Sequence, residues 1–299
     1  MEKYNKIHWA KGLDITPEVF VGSDNYHIAE RKLIGRFVAS RLYGIIPDKK
    51  FYIRKRIDTH TNTLFIDNLE CMAITHDGYV INLQSDMLFS KEVSLKNETG
   101  TTLYMILTVN PYSTALVDDE KLHVYPKYDL MFKRPGEAVE TGMPVLKICY
   151  DIDKQCWKID ENYIPPSIAL GSVDELKQLY IKIKDKLNHI IEKLSESDTI
   201  YVQAMLLKLE LENDYLQKSP QELTLLLKKI CLILKLYIRA VKNIKELPVF
   251  KKFIDEQYNH NDIEKSLRLG FESLVEIDQK IDEKPIIDEP EIIEIEIKI

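Results

Sequence analysis

The sequence predicts an α+β protein: an antiparallel β-sandwich or barrel-like domain followed by a helical-bundle neck. Three observations carry this. From about Phe51 to Asp160 short β-prone runs recur with turn residues between them, and no helical period separates them. That pattern belongs to antiparallel sandwiches and barrels, not to a parallel α/β sheet. From Ser172 the apolar spacing changes. Leu176, Tyr180, Ile183, Leu187, Ile190 and Leu194 follow a 4-3-4-3-4 repeat, the seam of a coiled-coil-like helix. Finally, Ser219 to Ile244 is apolar around nearly the whole helical circumference, which predicts a helix buried on all sides.

The opening stretch, Lys6 to Tyr26, reads as too irregular for a helix and carries the punctuators Gly12 and Pro17. It nevertheless holds Trp9, Leu13, Phe20 and Tyr26, large groups that either pack on their own domain or form a docking surface. Between Tyr26 and Arg41 the pattern fits a short helix without demanding one. The β series begins with the alternation Phe51, Ile53, Ile57 and continues through Thr63–Leu69, Cys71–Thr75 and Tyr79–Leu83, with Asp77-Gly78 as a hairpin turn. Thr102–Val109, Leu122–Tyr125, Leu130–Lys133, Val145–Tyr150 and Cys156–Ile159 complete it. Pro165-Pro166 is stiff and extended because each ring fixes φ and restricts its predecessor. The change from strand to helix places a domain boundary near Ala169.

Ser172 with Glu175, and Ser219 with Pro220 and Glu222, read as capping boxes that start helices. Between them a helix from Thr199 to about Leu216 is expected, with Val202, Met205, Leu206 and Leu209 inward. In the helix that follows, Leu223, Leu225, Leu226, Leu227, Ile230, Cys231, Leu232, Ile233, Leu234, Leu236, Tyr237, Ile238 and Val241 leave no polar face. Lys228, Lys229, Lys235 and Arg239 interrupt it, so it is no membrane span. Its burial points to neighbouring subunits, with Leu176, Tyr180, Ile183, Leu187, Leu226, Ile230, Leu234 and Tyr237 as the oligomerisation residues. Pro248 breaks the run, and a last helix begins at Asn261-Asp262 with Ile263, Leu267, Phe271 and Leu274 on one face. Beyond Lys280 the chain is acidic, carries Pro285 and Pro290, and ends in an alternation from Ile293 to Ile299 that is strand-like. The expected domains are 1–169, 170–278 and a tail at 279–299.

With 45% hydrophobic and 30% charged residues, the 299-residue chain has the composition of a globular protein with a real core. A net charge of −7 argues against nucleic acid as a partner. Cys71, Cys149, Cys156 and Cys231 show no CxxC spacing and read as reduced core thiols. The N-terminus shows no signal-peptide pattern, which predicts a cytoplasmic protein. Catalytic motifs are missing: no GxSxG, P-loop, GxGxxG or HExxH occurs. His8, His60 and His76 lack metal-ligand spacing. Asp118-Asp119-Glu120 reads as a solvated turn, Trp157 as a strand residue of core or sheet face, and Lys228 and Lys229 as stems that carry charge to solvent. No enzyme activity, cofactor, metal or small-molecule substrate is expected.

Three stretches together resemble one family, the type VI secretion baseplate component TssK. Trp9, Gly12, Leu13, Pro17, Phe20 and Tyr26 match its W-x2-G-[LM]-x3-P-x2-F-x5-Y pattern. Pro144 to Lys147, Asp160 and Tyr163 to Pro166 look like its L-P-[LV] strand, aspartate and F-[IV]-P-P junction. SPQELTLLLKKI is similar to its proline-started apolar helix. Glu18-Val19 departs from the family's Gln-His, and few residues remain after Leu274 for the family's C-terminal head domain. The resemblance implies a β shell like that of phage receptor-binding proteins. It implies docking onto baseplate wedge proteins of TssF/TssG type through Trp9, Gly12, Leu13, Pro17 and Phe20, and a trimerising neck. It further implies a link toward the membrane complex and a place in the cytoplasm at the inner-membrane-docked apparatus. The alternatives are a phage-tail-like receptor-binding or adaptor trimer and, less well supported, a β-rich hydrolase with a helical oligomerisation domain. The terminal alternation is expected to add to a sheet edge.

Overall fold

The computed structural model describes residues 6–39, 42–47, 50–84, 89–96, 98, 100–116, 124–137, 141–195, 199–242 and 246–282. The chain divides into two compact units. The first comprises Met1–Tyr180, Asp214–Glu222 and Tyr258–Lys265; the second comprises Ile181–Asn213, Leu223–Gln257 and Ser266–Ile299.

The first unit is built on two antiparallel sheets. In one, strands β1 (Gly44–Ile45), β2 (Tyr52–Asp58), β4 (Val80–Leu83) and β5 (Lys91–Ser94) all pair with the long central strand β3 (Thr63–Ile74). Two runs expected as separate strands, Thr63–Leu69 and Cys71–Thr75, are therefore one. The register slips once, between Arg54 and Lys55, where Asp67 is the extra residue of β3. The bulge shifts the buried positions of β3 from Leu64 and Ile66 to Leu69 and Cys71, so that one strand serves two pairs of neighbours. The other sheet has the order β7 (Val124–Lys133), β6 (Thr102–Leu116), β8 (Gly142–Asp151), β9 (Cys156–Ile159). Leu64, Ile66 and Ile81 of the first sheet, and Met105, Leu107, Met143 and Ile148 of the second, are fully buried. Side chains join the sheets at both margins: Lys55 pairs with Glu161 at 3.4 Å, the Asn82 N–H donates to the Tyr128 hydroxyl at 3.1 Å, and Lys91 pairs with Asp129. Trp157 is buried in β9 with its ring edge-on to Tyr150, as a strand residue.

The proline junction is a structural seam. The Ile45 N–H donates to the Pro166 carbonyl at 2.8 Å and the Ile168 N–H returns to the Ile45 carbonyl at 3.0 Å. The backbones approach so closely at Gly44 (φ +117°) that a Cβ there would lie 2.1 Å from the Pro166 oxygen. Ser172 does not cap the next helix, as its spacing to Glu175 had implied. It is buried in a 3-10 turn (Leu170–Ser172), where its hydroxyl donates to the Ile45 carbonyl at 2.7 Å and accepts the Ala169 N–H at 3.2 Å. Helix α2 (Asp174–Glu192) starts two residues later with Asp174 and Glu175 in its first turn, where carboxylates favour the helix dipole.

The opening stretch departs most from expectation. Pro17 begins a 23-residue helix, α1 (Pro17–Ala39), instead of interrupting a loop. Proline is at home in the first turn because the N–H it lacks has no intrahelical partner there. Glycine gives the helix a close contact with the sheet. Gly35 sits on the turn between β3 and β4, and a Cβ on it would lie 2.1 Å from the Gly78 carbonyl oxygen. Next to this contact Lys32 donates to the Tyr79 hydroxyl at 2.9 Å and lies over its ring.

The second unit is helical. It contains the remainder of α2, then α3 (Thr199–Glu212), most of α4 (Pro220–Lys242), α5 (Pro248–Asp255) and most of α6 (Ile263–Asp282). The start of α4 is a capping box as expected: the Ser219 N–H donates to Glu222 at 2.7 Å and the Glu222 N–H to the Ser219 hydroxyl at 3.1 Å. Pro248 both follows the end of α4 and opens α5, a helix the sequence reading passed over. Glu276 accepts the Val249 and Phe250 N–H groups at 3.2 and 2.8 Å, and Lys228 donates to the Ile254 and Glu256 carbonyls at 3.0 and 2.6 Å. Both ends of α5 are thus satisfied by neighbouring helices. Lys228 is therefore a cap and not a charge carried to solvent. Gly270 of α6 lets Leu227 and Phe253 approach to 3.0 Å of where its Cβ would be. Asp278, largely buried, accepts from Lys193 at 2.8 Å and Lys186 at 3.1 Å.

Candidate docking surfaces

The residues of the opening stretch come together. A turn at Gly12 (φ +92°), closed by the Leu13 N–H to the Ala10 carbonyl at 3.2 Å, folds the chain back along α1. Ile7 covers Gly22, and the Trp9 ring lies 6.4 Å from the Phe20 ring. These groups are not shell core. Trp9 is 53% and Phe20 54% exposed; Leu13, Ile15, Pro17 and Val21 are exposed with them. The result is an aromatic and aliphatic patch on a helix of which Gly35 is the one fully buried residue among those described. Apolar groups exposed in this density mark a site of interaction.

The helical unit offers a second surface, and it is not the one expected. Leu176, Tyr180, Ile183, Leu187, Leu226, Ile230 and Leu234 are buried within the single chain, and Tyr237 is half-buried. All of them but Tyr237 build the chain's own core. The large apolar groups left in solvent are others. On α3 they are Val202, Leu206 and Leu209, spaced i, i+4, i+7, with Leu206 61% exposed. Helix α3 therefore faces opposite to the expected direction, burying Ala204 and Leu211. On α4 they are Leu225, Leu232, Leu236 and Val241, with Leu236 60% exposed. Helix α4 is thus apolar all round but covered on one side only. The surplus of apolar positions was legible in the sequence; which of them the chain covers itself was not.

The titratable groups are arranged for structure. The backbone N–H of His60 donates to the Asp58 carboxylate at 2.9 Å in a turn, and the His76 ring packs edge-on against Tyr43. Among the described residues no three His, Cys, Asp or Glu side chains lie together as a metal site. All four cysteines are free; burial pushes the Cys71 thiol up to about 12 and the Cys231 thiol up as well. Unreactive, protonated thiols follow at Cys71 and Cys231. Asp118-Asp119-Glu120 and the terminal alternation Ile293–Ile299 lie outside the described residues. No described helix is long and apolar enough to cross a membrane.

The architecture defines a class: a β shell, a glycine-seated helix on it, and a helical unit bearing apolar surface. No family model and no curated protein matches the sequence. Solved structures do match in fold, and they are of TssK and its assemblies. A chain of the type VI secretion TssK–TssF–TssG baseplate subcomplex, determined by cryo-electron microscopy, matches with a TM-score of 0.63 at 13% identity, over 93% of this chain and 99% of that one. A chain of the type VI baseplate complex matches at 0.59 and 13% identity, over 94% and 100%. A crystal structure of TssK matches at 0.56 and 13% identity, over 93% and 70%. The chain has the TssK fold.

Proposed function

We propose that this protein is a structural, non-enzymatic subunit of a type VI secretion baseplate. The observation that carries the reading is the fold it shares, over nearly the whole of both chains, with a chain of the TssK–TssF–TssG subcomplex. In this reading the shell docks onto wedge proteins of TssF/TssG type through the patch of Trp9, Leu13, Pro17 and Phe20, with the Gly12 turn holding Trp9 in place. The helical unit assembles as a homotrimer. Its contact residues are the exposed Val202, Leu206 and Leu209 of α3 and Leu225, Leu232 and Leu236 of α4. The assembly works in the cytoplasm and links the wedge toward the membrane-anchoring complex. Two exposed apolar surfaces on one chain support a scaffold with both self-contacts and partner contacts.

Co-expression with the TssF- and TssG-like proteins encoded in the same genome tests the reading. A stable complex is expected. Trp9→Ala and Phe20→Ala should weaken it at least tenfold while shifting the melting temperature little, because the truncated groups are half in solvent. If the proteins never co-purify, the baseplate reading falls. If the variants bind as well as the parent, the patch is not the contact.

A further inference from the structure

The segment between α5 and α6 belongs to the β unit, and a histidine holds it there. His260 Nε2 lies 2.6 Å from the Tyr43 carbonyl oxygen, and its Nδ1 lies 2.9 Å from the Tyr258 hydroxyl. A carbonyl can only accept, so Nε2 carries the proton. In the neutral ring Nδ1 has the lone pair, and the Tyr258 hydroxyl donates to it. The imidazole is bonded at both nitrogens and packed edge-on against the Tyr43 ring at 4.6 Å. The Tyr43 hydroxyl in turn donates to Asn261 Oδ1. Four side chains thus fasten residues 258–261 to the residue that leads into β1, the strand stitched to the Pro166 junction.

We propose that this cluster is an acid-sensitive clasp, which closes the 258–265 segment onto the β unit while His260 is neutral and releases it when Nδ1 takes up a proton. Protonation reverses the bond to Tyr258, whose hydroxyl must then accept, and creates a cation in a part-buried site. The groups that face it offer little compensation. Tyr43 and Tyr258 present rings and hydroxyls, and burial holds both hydroxyls protonated, Tyr43 up to about 12. His76 packs edge-on against the same Tyr43 ring, with Asp77 3.9 Å from its Nδ1. The charge of Asp262 is felt at Tyr104 and Lys147, and the partner of Lys147 is Asp160 at 3.1 Å. Tyr163, also buried, carries no charge. Burial accordingly lowers the His260 pKa, against the smaller effect of its bond to the Tyr43 carbonyl. Because the depressed value belongs to the folded state, the clasp is fully closed above the ordinary histidine range and opens as pH falls below it.

Hydrogen exchange on the full chain at pH 7.5 and pH 5.5, corrected for intrinsic rates, reads the clasp directly. Amides of 258–265 and 43–46 should exchange several-fold faster at the lower pH, up to about tenfold, the most that one histidine titrating near its ordinary value in the open state can supply, with the β6–β8 ladder unchanged. His260→Gln can still donate to the Tyr43 carbonyl but cannot titrate, so its exchange in these segments should not respond to pH. A carbon-13 resonance of the His260 ring in the parent gives a readout that needs no variant, and its midpoint should lie below that of free histidine. Equal protection at the two pH values, an equal pH response in His260→Gln, or an unshifted midpoint would each overturn the proposal.

Discussion

Asp278 shows how a charge is kept inside a helical unit. Burial alone would raise its pKa, but hydrogen bonds from Lys193 and Lys186 outweigh that and hold the carboxyl below the usual range. The sign of the pH effect follows: the unfolded chain binds this proton more readily, so the stabilisation is complete above the ordinary aspartate value near 4 and is lost as pH falls through the lower folded value. Asp278→Asn should cost about 2 kcal/mol at neutral pH, since two lysines lose a charged acceptor. Thermal melts from pH 7 to pH 3 should show the difference from the parent shrinking toward the acid end; a constant difference would mean that the charge is not what matters. Ser219→Ala removes the reciprocal bond with Glu222 and should cost about 1 kcal/mol. The Ser219 box was legible because serine, proline and glutamate all point to one helix start. Ser172 misled because the same spacing to a glutamate arises by chance where the hydroxyl is needed by Ile45, 127 residues away.

At the scale of elements, the legible ones had a buried face to declare. β9 ends where its alternation predicts, the Asp77-Gly78 turn is a turn, and the 4-3-4 repeat of α2 is buried at Leu176, Tyr180, Ile183 and Leu187. The start of helix α1, from Pro17 to about Tyr26, was read as loop, and its remainder only as a possible short helix, because almost nothing on it is buried. Its contact is made by a glycine, which sequence reading counts as a breaker, and its first residue is a proline, which it counts as another. Gly35 is the one buried residue of α1 among those described. Gly35→Leu would need space occupied by the Gly78 carbonyl, a clash worth about 2 kcal/mol. Exchange protection of α1 should drop sharply while that of β3 persists. If α1 keeps its protection, contacts other than the glycine seat hold it. Helix α5 escaped for a similar reason: Pro248 looked like an end, and its caps come from Glu276 and Lys228 on other helices.

The whole molecule poses a question of surplus. A chain that fills its own helical core with Leu187, Ile230 and Leu234 still leaves Leu206, Leu232 and Leu236 in water. Each such leucine forgoes roughly 2 kcal/mol that burial would supply, so rows of them on two helices amount to a strong drive for association. The sequence showed that drive but placed it on residues that the chain itself buries, all but Tyr237, since an apolar residue looks alike whether its own chain or a neighbour covers it. The two roles separate by substitution. Leu234→Asp places an unpaired charge in the core and should unfold the helical unit, losing several kcal/mol. Leu206→Glu and Leu232→Glu place charges where water already reaches and should leave helix content and the fold of the monomer intact. Light scattering of the parent should give three times the 34.9 kDa chain mass, and of the double variant a single chain. A parent that is already monomeric would remove the trimer. A double variant that still forms trimers would leave the trimer standing and show that α3 and α4 do not hold it together.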